Sequence, residues 1–113
     1  MEETLVKKVL PHSLEAEQSV IGSMLYEDNA IATAMGIVKA EDFYDHRCGI
    51  IFETITDIYQ SGRSVDLVTL QNALKGKDVA PEVYSIDALK ELLNSVFTAA
   101  NVKSYATIVA EKA

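Results

Sequence analysis

The segment DHRCGIIFETITDIYQSG, residues 45–62, carries the widest apolar stripe of the chain. Its apolar residues recur three and four positions apart, which places them on one side of an α-helix. They are Cys48, Ile51, Phe52, Ile55, Ile58 and Tyr59. Asp45 can cap the first turn of this helix, and Ser61 with Gly62 can end it. We therefore predict a helix over this segment that forms the centre of a helical bundle.

Segments on both sides of this helix show the same three- and four-residue spacing, and none alternates at period two for long. The residues predicted to cap the other helices are Ser13, Asp28 or Asn29, Asp66, Ser85 and Thr98. Between Lys77 and Tyr84 the periodicity is lost and Pro81 occurs, so we predict a surface loop. The pattern predicts an all-α fold, a compact bundle of about six helices over residues 11–113, preceded by a flexible tail over residues 1–10.

Gly22 interrupts the apolar stripe of the first predicted helix, between Ile21 and Met24. Glycine lowers helix propensity, so its presence on this face indicates that a neighbouring helix comes close there. Phe43 and Tyr44, just before the predicted central helix, are expected to fill one end of the core.

Composition and charge restrict the class of protein. The 113 residues are 49% hydrophobic and 24% charged, which is typical of one folded domain. Ten basic residues against seventeen acidic ones give a net charge of -7, which disfavours a DNA-binding regulator because no helix is basic enough to serve as its recognition helix. No apolar run reaches the length of about 18 residues that a membrane span needs. With a single cysteine and no visible signal peptide, we expect a cytoplasmic protein.

Motifs for common catalytic sites are missing from the sequence. The five glycines never form the GxxxxGK[ST] loop that binds nucleotide phosphates, and neither GxSxG nor HExxH occurs. His46 and Cys48 lie two positions apart on a helix and so do not face each other, and we expect Cys48 to be buried. Acidic residues such as Glu15 and Glu17 are expected on solvated faces. We predict no catalytic, cofactor-binding or metal site in this chain.

Four segments resemble, in the same order, the N-terminal domain of the bacterial DnaB-type replicative DNA helicases. They are LPHSLEAEQSVIGSML (residues 10–25), EDFYDHRCGIIF (41–52), SGRSVDLVTLQNAL (61–74) and TAANVKSYATIVAEKA (98–113). One segment departs from the family: PEVYSIDALKEL (81–92) lacks the usual Gly-Gly pair and has Ala88 in place of an aromatic residue. A partner contact made by that aromatic side chain is therefore in doubt here.

The resemblance implies a docking and ring-assembly domain of a hexameric helicase that unwinds DNA at the replication fork. In the family, the N-terminal domains pair into a collar that binds the helicase-binding domain of primase and takes part in loading, so a helicase loader is a further possible partner. ATP and Mg belong to a RecA-like motor further along the chain, which also contacts DNA. The sixth helix is expected to be the first arm of a helical hairpin that continues past Ala113 and packs on a neighbouring subunit.

These implications select the candidate contact residues. Glu15 and Tyr105 lie in matched segments and are predicted to contact primase or another subunit. Val102, Tyr105 and Val109 should be left partly short of partners in the truncated arm. The alternatives are that Glu15 only stabilises the helix dipole and that Tyr105 belongs to the core. The chain alone is expected to be a weak dimer or a monomer. A different hypothesis is a free-standing small helical adaptor or regulatory protein that ends at Ala113.

Overall fold

The computed structural model describes residues 13–96 and 100–113. This part of the chain contains six α-helices, two short 3-10 turns and no strand. The helices are α1 (Leu14–Tyr26), α2 (Asp28–Met35), α3 (His46–Gln60), α4 (Leu67–Lys75), α5 (Ile86–Leu93) and α6 (Val102–Lys112), and the turns are Ala40–Asp42 and Pro81–Val83. The predicted all-α bundle is confirmed, while the predicted tail, residues 1–10, lies outside the described residues.

Four helices begin where the sequence predicts a cap. The capping side chains are those of Ser13, Asp45, Asp66 and Ser85, and each accepts a backbone N–H from the first turn of its helix. Such a bond satisfies one of the N–H groups that a helix start leaves without a partner. At the end of α3, Gly62 has a φ of +83°, a conformation that glycine adopts without strain. The predicted stop of this helix is thus confirmed.

Two predicted helix starts differ from the structure. Helix α2 begins at Asp28 with Glu27 as its N-cap, and no side chain caps it. Glu27 also ends α1, where its N–H donates to the carbonyl of Ser23, so one residue joins the two helices and leaves no room for a separate capping residue. Thr98 lies outside the described residues, and α6 begins later than predicted, at Val102.

The central helix is α1, so the prediction that α3 is central was wrong. Helix α1 contacts α2, α3, α5 and α6, and eight of its thirteen residues are buried. Helix α3 buries seven of fifteen, and its outer side carries Glu53 and Asp57, which are exposed and lie within 4 Å of the Lys77 Nζ. The wide apolar stripe of α3 thus indicates that one side of the helix is well buried. A helix such as α1, which neighbours enclose on several sides, is buried nearly all round.

Gly22 explains how the end of α5 comes so close to α1. A Cβ atom at this position would overlap the carbonyl oxygen of Leu92 and lie 2.9 Å from the Ser95 Oγ. The end of α5 therefore packs directly on the backbone of α1. The predicted close approach of a neighbouring helix at Gly22 is confirmed.

Most of the predicted apolar stripes form the core. The largest fully buried apolar side chains are Ile21, Met24, Ile31, Ile55, Ile58, Leu70, Leu74 and Leu89. Phe43 is buried as predicted, with its ring centroid 5.0 Å from that of Phe52. Tyr44, however, is exposed. The backbone is extended at Phe43, so successive side chains point to opposite sides and only one of the two can enter the core.

The prediction that Val102 and Val109 are left partly short of partners was also wrong. Their exposed fractions are 5% and 2%, and together with Ala106 they form the inner stripe of α6. This stripe packs on α1 and α2, so the domain itself already covers it. Neither valine is available to another protein in this fold.

We predict that Gly22→Ala lowers the free energy of unfolding by about 1–3 kcal/mol, because the new methyl group would collide with backbone that cannot move aside. The change should appear in urea denaturation followed by circular dichroism. Gly36→Ala is the matched control: its Cβ would meet nothing closer than 3.5 Å, so stability should change by no more than about 0.5 kcal/mol. Equal stability of the two variants would contradict the close packing of α1 and α5.

Candidate docking surface

A groove of about 490 Å³ runs between α1 and α6. Ser13, Glu15, Gln18, Ser95, Tyr105 and Ile108 are among the residues that line it. Glu15 and Tyr105, the two residues predicted to contact a partner, are ninety positions apart in the sequence, and the fold brings both to this one groove. Val102 and Val109, the other two candidates, lie in the core instead.

The start of α1 fixes the position of Glu15. The Ser13 Oγ accepts the backbone N–H of Ala16 at 3.2 Å, which sets the first turn and leaves Glu15 exposed beside the groove. Among the described residues the Glu15 carboxylate has no ion-pair partner. It can therefore accept hydrogen bonds from a cationic or polar group of another protein.

Tyr105 contributes an aromatic surface to the other side of the groove. Its side chain is half-buried and packs partly against the core, which agrees in part with the alternative that Tyr105 belongs to the core, and its contact with a partner stays a prediction. Tyrosine combines a large apolar area with a hydroxyl group, a combination that is enriched where proteins contact one another. The groove thus offers one carboxylate, one aromatic ring and several hydroxyl groups, a combination that suits the binding of another protein.

Glu17 has a structural role that the sequence pattern did not predict. Its exposed fraction is 1%, and its two carboxylate oxygens accept the backbone N–H groups of Tyr44 at 2.8 Å and Asp45 at 2.9 Å. The expectation of a solvated Glu17 was therefore wrong. A signal was present, because Glu17 precedes Val20 and Met24 by three and seven positions and so lies on their buried side.

The two hydrogen bonds of Glu17 hold the chain at the start of α3, where Asp45 and Arg47 form an ion pair. Arg47 donates through Nε and Nη2 to the two carboxylate oxygens of Asp45, at 3.3 and 3.0 Å. The side-chain hydrogen bond from Arg47 keeps the pKa of Asp45 below its ordinary value, although burial acts in the opposite direction. Asp45 therefore stays ionised at neutral pH, both as helix cap and as partner of Arg47.

Cys48 lies one turn further along α3 and is buried as predicted. Burial raises the pKa of its thiol to about 12, and the nearby carboxylates of Asp45 and Glu17 act in the same direction. Because the thiolate is the nucleophilic form, this cysteine is unreactive at neutral pH. Within residues 13–96 and 100–113, no three Asp, Glu, His or Cys side chains are grouped so that they could hold a metal ion.

Known proteins match almost the whole chain. The sequence model of one protein family, the DnaB-like helicase N terminal domain, matches residues 9–111. The chain belongs to this family. The predicted resemblance to the DnaB-type N-terminal domains is thereby confirmed.

In the described part of the chain, no helix has the length and apolar character needed to cross a membrane.

Curated relatives of this DnaB-type domain are replicative DNA helicases. The replicative DNA helicase DnaB of Geobacillus stearothermophilus is 38% identical over 112 residues, which cover 99% of this chain and 25% of the relative. The enzyme of the same name from Rhodothermus marinus is 39% identical over 105 residues, covering 93% of this chain and 11% of the relative. The chain thus spans a quarter or less of the length of these relatives.

The fold of the DnaB-type domain also agrees with an experimental structure. The crystal structure of the N-terminal domain of DnaB helicase from Mycobacterium tuberculosis matches with a TM-score of 0.86 at 37% identity. The match covers 90% of this chain and 71% of that one. The helical arrangement around α1 is therefore that of DnaB N-terminal domains.

We predict that Glu17→Gln lowers the free energy of unfolding by about 2–3 kcal/mol, because the buried amide can accept with only one atom and so replaces only one of the two part-buried hydrogen bonds that the carboxylate accepts. Thermal unfolding at pH 7 measures the change. Glu15→Gln, two positions away and exposed, is the matched control and should change stability by less than about 0.5 kcal/mol. Equal effects of the two substitutions would show that the carboxylate of Glu17 does not hold the start of α3.

Proposed function

We propose that this chain is the N-terminal assembly and docking domain of a hexameric, ATP-dependent replicative DNA helicase that unwinds DNA at the replication fork. Its membership in the DnaB-like N-terminal family supports this, as do relatives that are replicative helicases over a much greater length. In this proposal the rest of the longer protein binds ATP and Mg and contacts DNA. The domain described above contributes contacts between proteins.

The groove between α1 and α6 is the part of the domain to which we assign docking of the primase helicase-binding domain. The observation that carries this assignment is the convergence of Glu15 and Tyr105 on one groove. An exposed carboxylate beside an aromatic side chain offers both a charged contact and an apolar anchor, the combination typical of the energetically important part of an interface. A helicase loader is the second partner that we propose for this domain.

We predict that Glu15→Arg weakens binding of the primase helicase-binding domain about tenfold, because a charge reversal at the groove replaces attraction by repulsion. Isothermal titration calorimetry with the two purified domains measures the affinity. The melting temperature should stay nearly unchanged, since Glu15 is exposed.

Glu41→Arg is the matched control, with the same change of charge at an exposed residue that does not line the groove. It should bind primase as the parent does. Unaltered affinity of Glu15→Arg would remove the groove from the proposed interface and leave the family assignment intact.

We further propose that the 113-residue chain alone is a monomer or a weak dimer and that the hexamer forms in the longer protein. A specific interface usually buries about 800 Å² on each partner. Two of the apolar residues expected to supply such a surface, Val102 and Val109, are used inside the domain. Sedimentation equilibrium at micromolar concentration should show mainly monomer, and a stable hexamer of this chain would contradict the proposal.

A further inference from the structure

A second, smaller cleft of about 120 Å³ opens between α1, α3, α5 and the Pro81–Val83 turn. Its apolar lining consists of Ile51, Val83, Ala88 and Leu92. It is separate from the groove described above, although Gln18 lines both.

The size of the cleft limits what it can hold. A protein cavity of about 150 Å³ lined by apolar side chains is known to bind benzene, so a cleft of this volume accommodates roughly one ring-sized group. Ala88 contributes only a methyl group to the lining of the cleft. The backbone N–H of Ala88 donates to the Oγ of Ser85 at 3.1 Å, which fixes this residue in the first turn of α5 and keeps the cleft in place.

Arg47 at the mouth of the cleft favours an aromatic occupant over an aliphatic one. Its guanidinium group is oriented by the two hydrogen bonds to Asp45 described above. A planar guanidinium held in this way can stack on the face of an aromatic ring. An aliphatic side chain would gain only the apolar contact.

The charged residues at the mouth of the cleft determine which residues of the partner can stand next to that aromatic ring. Glu82 and Glu91 also line the cleft, and among the described residues neither carboxylate has an ion-pair partner. The charge of Arg47 is offset by Asp45. The mouth is therefore negative overall, which attracts positively charged groups.

We propose that this cleft is a docking site for a peptide segment of a partner protein that carries an aromatic side chain next to lysine or arginine. The ring enters between Ile51, Val83 and Leu92, and the cationic side chains lie near Glu82 and Glu91. This inference goes beyond the proposed function: it concerns a different site and does not require the partner to be primase.

The probe for this site is the peptide acetyl-Lys-Phe-Lys-amide, compared with acetyl-Lys-Ala-Lys-amide and acetyl-Glu-Phe-Glu-amide. Binding is followed by the NMR shifts of the backbone amides of Ala88, Ile51 and Leu92 in the 113-residue chain. We predict that the first peptide binds about tenfold or more tightly than the other two, because only it supplies both the ring and the positive charges. Glu82→Gln with Glu91→Gln should weaken its binding about threefold or more, and the loss should shrink at high salt.

Ala88→Phe fills the cleft from within and should abolish the shifts caused by the peptide. Ala32→Phe, at an exposed position of α2, is the matched control and should bind as the parent does. Should Ala88→Phe fail to fold by circular dichroism, Ala88→Met tests the same point with a flexible side chain. Binding that survives in a folded variant with a filled cleft, equal affinity for the Phe and Ala peptides, or a matching loss in Ala32→Phe would overturn the proposal.

Discussion

Helix α1 is enclosed by four other helices, and this enclosure is possible only because small residues stand where the neighbours touch it. Gly22 lets the end of α5 reach the helix backbone, and Ser19 and Ser23 are buried beside it. Protein interiors are packed so densely that an extra methyl group at such a contact must displace a neighbour. The groove between α1 and α6 lies where the enclosure ends, on the side of α1 that carries Glu15 and Gln18.

The buried carboxylate of Glu17 provides a second connection, which joins α1 to the start of α3 beside the smaller cleft. A buried polar side chain is tolerated only when hydrogen bonds replace those that it made to water, and the two backbone N–H groups at the start of α3 do this for Glu17. The bond fixes the relation of α1 to α3. Asp45, whose backbone N–H donates to Glu17, also holds Arg47 at the smaller cleft through its side chain.

The features that the sequence predicted correctly are local ones. A cap such as Ser13 or Asp66 bonds to a residue three positions away, so the sequence contains both partners. The helix that packs on a given apolar stripe, in contrast, is distant in the sequence, so the stripe itself does not reveal it. That is why the sequence pattern predicts α3 at the centre and predicts that Val102 and Val109 are partly short of partners, although α1 and α2 bury the two valines.

The two openings differ in how far the sequence could have revealed them. Glu15 and Tyr105 were selected through the family resemblance, but only the fold shows that they share a groove. The cleft at Ala88 could not be predicted, because it is defined by volume that no side chain occupies. Both openings nevertheless share one physical property that the net charge of -7 already indicates: carboxylates without ion-pair partners among the described residues stand at each. Gln18 lines both openings. A partner that covers both of them must therefore present a surface with positive charge.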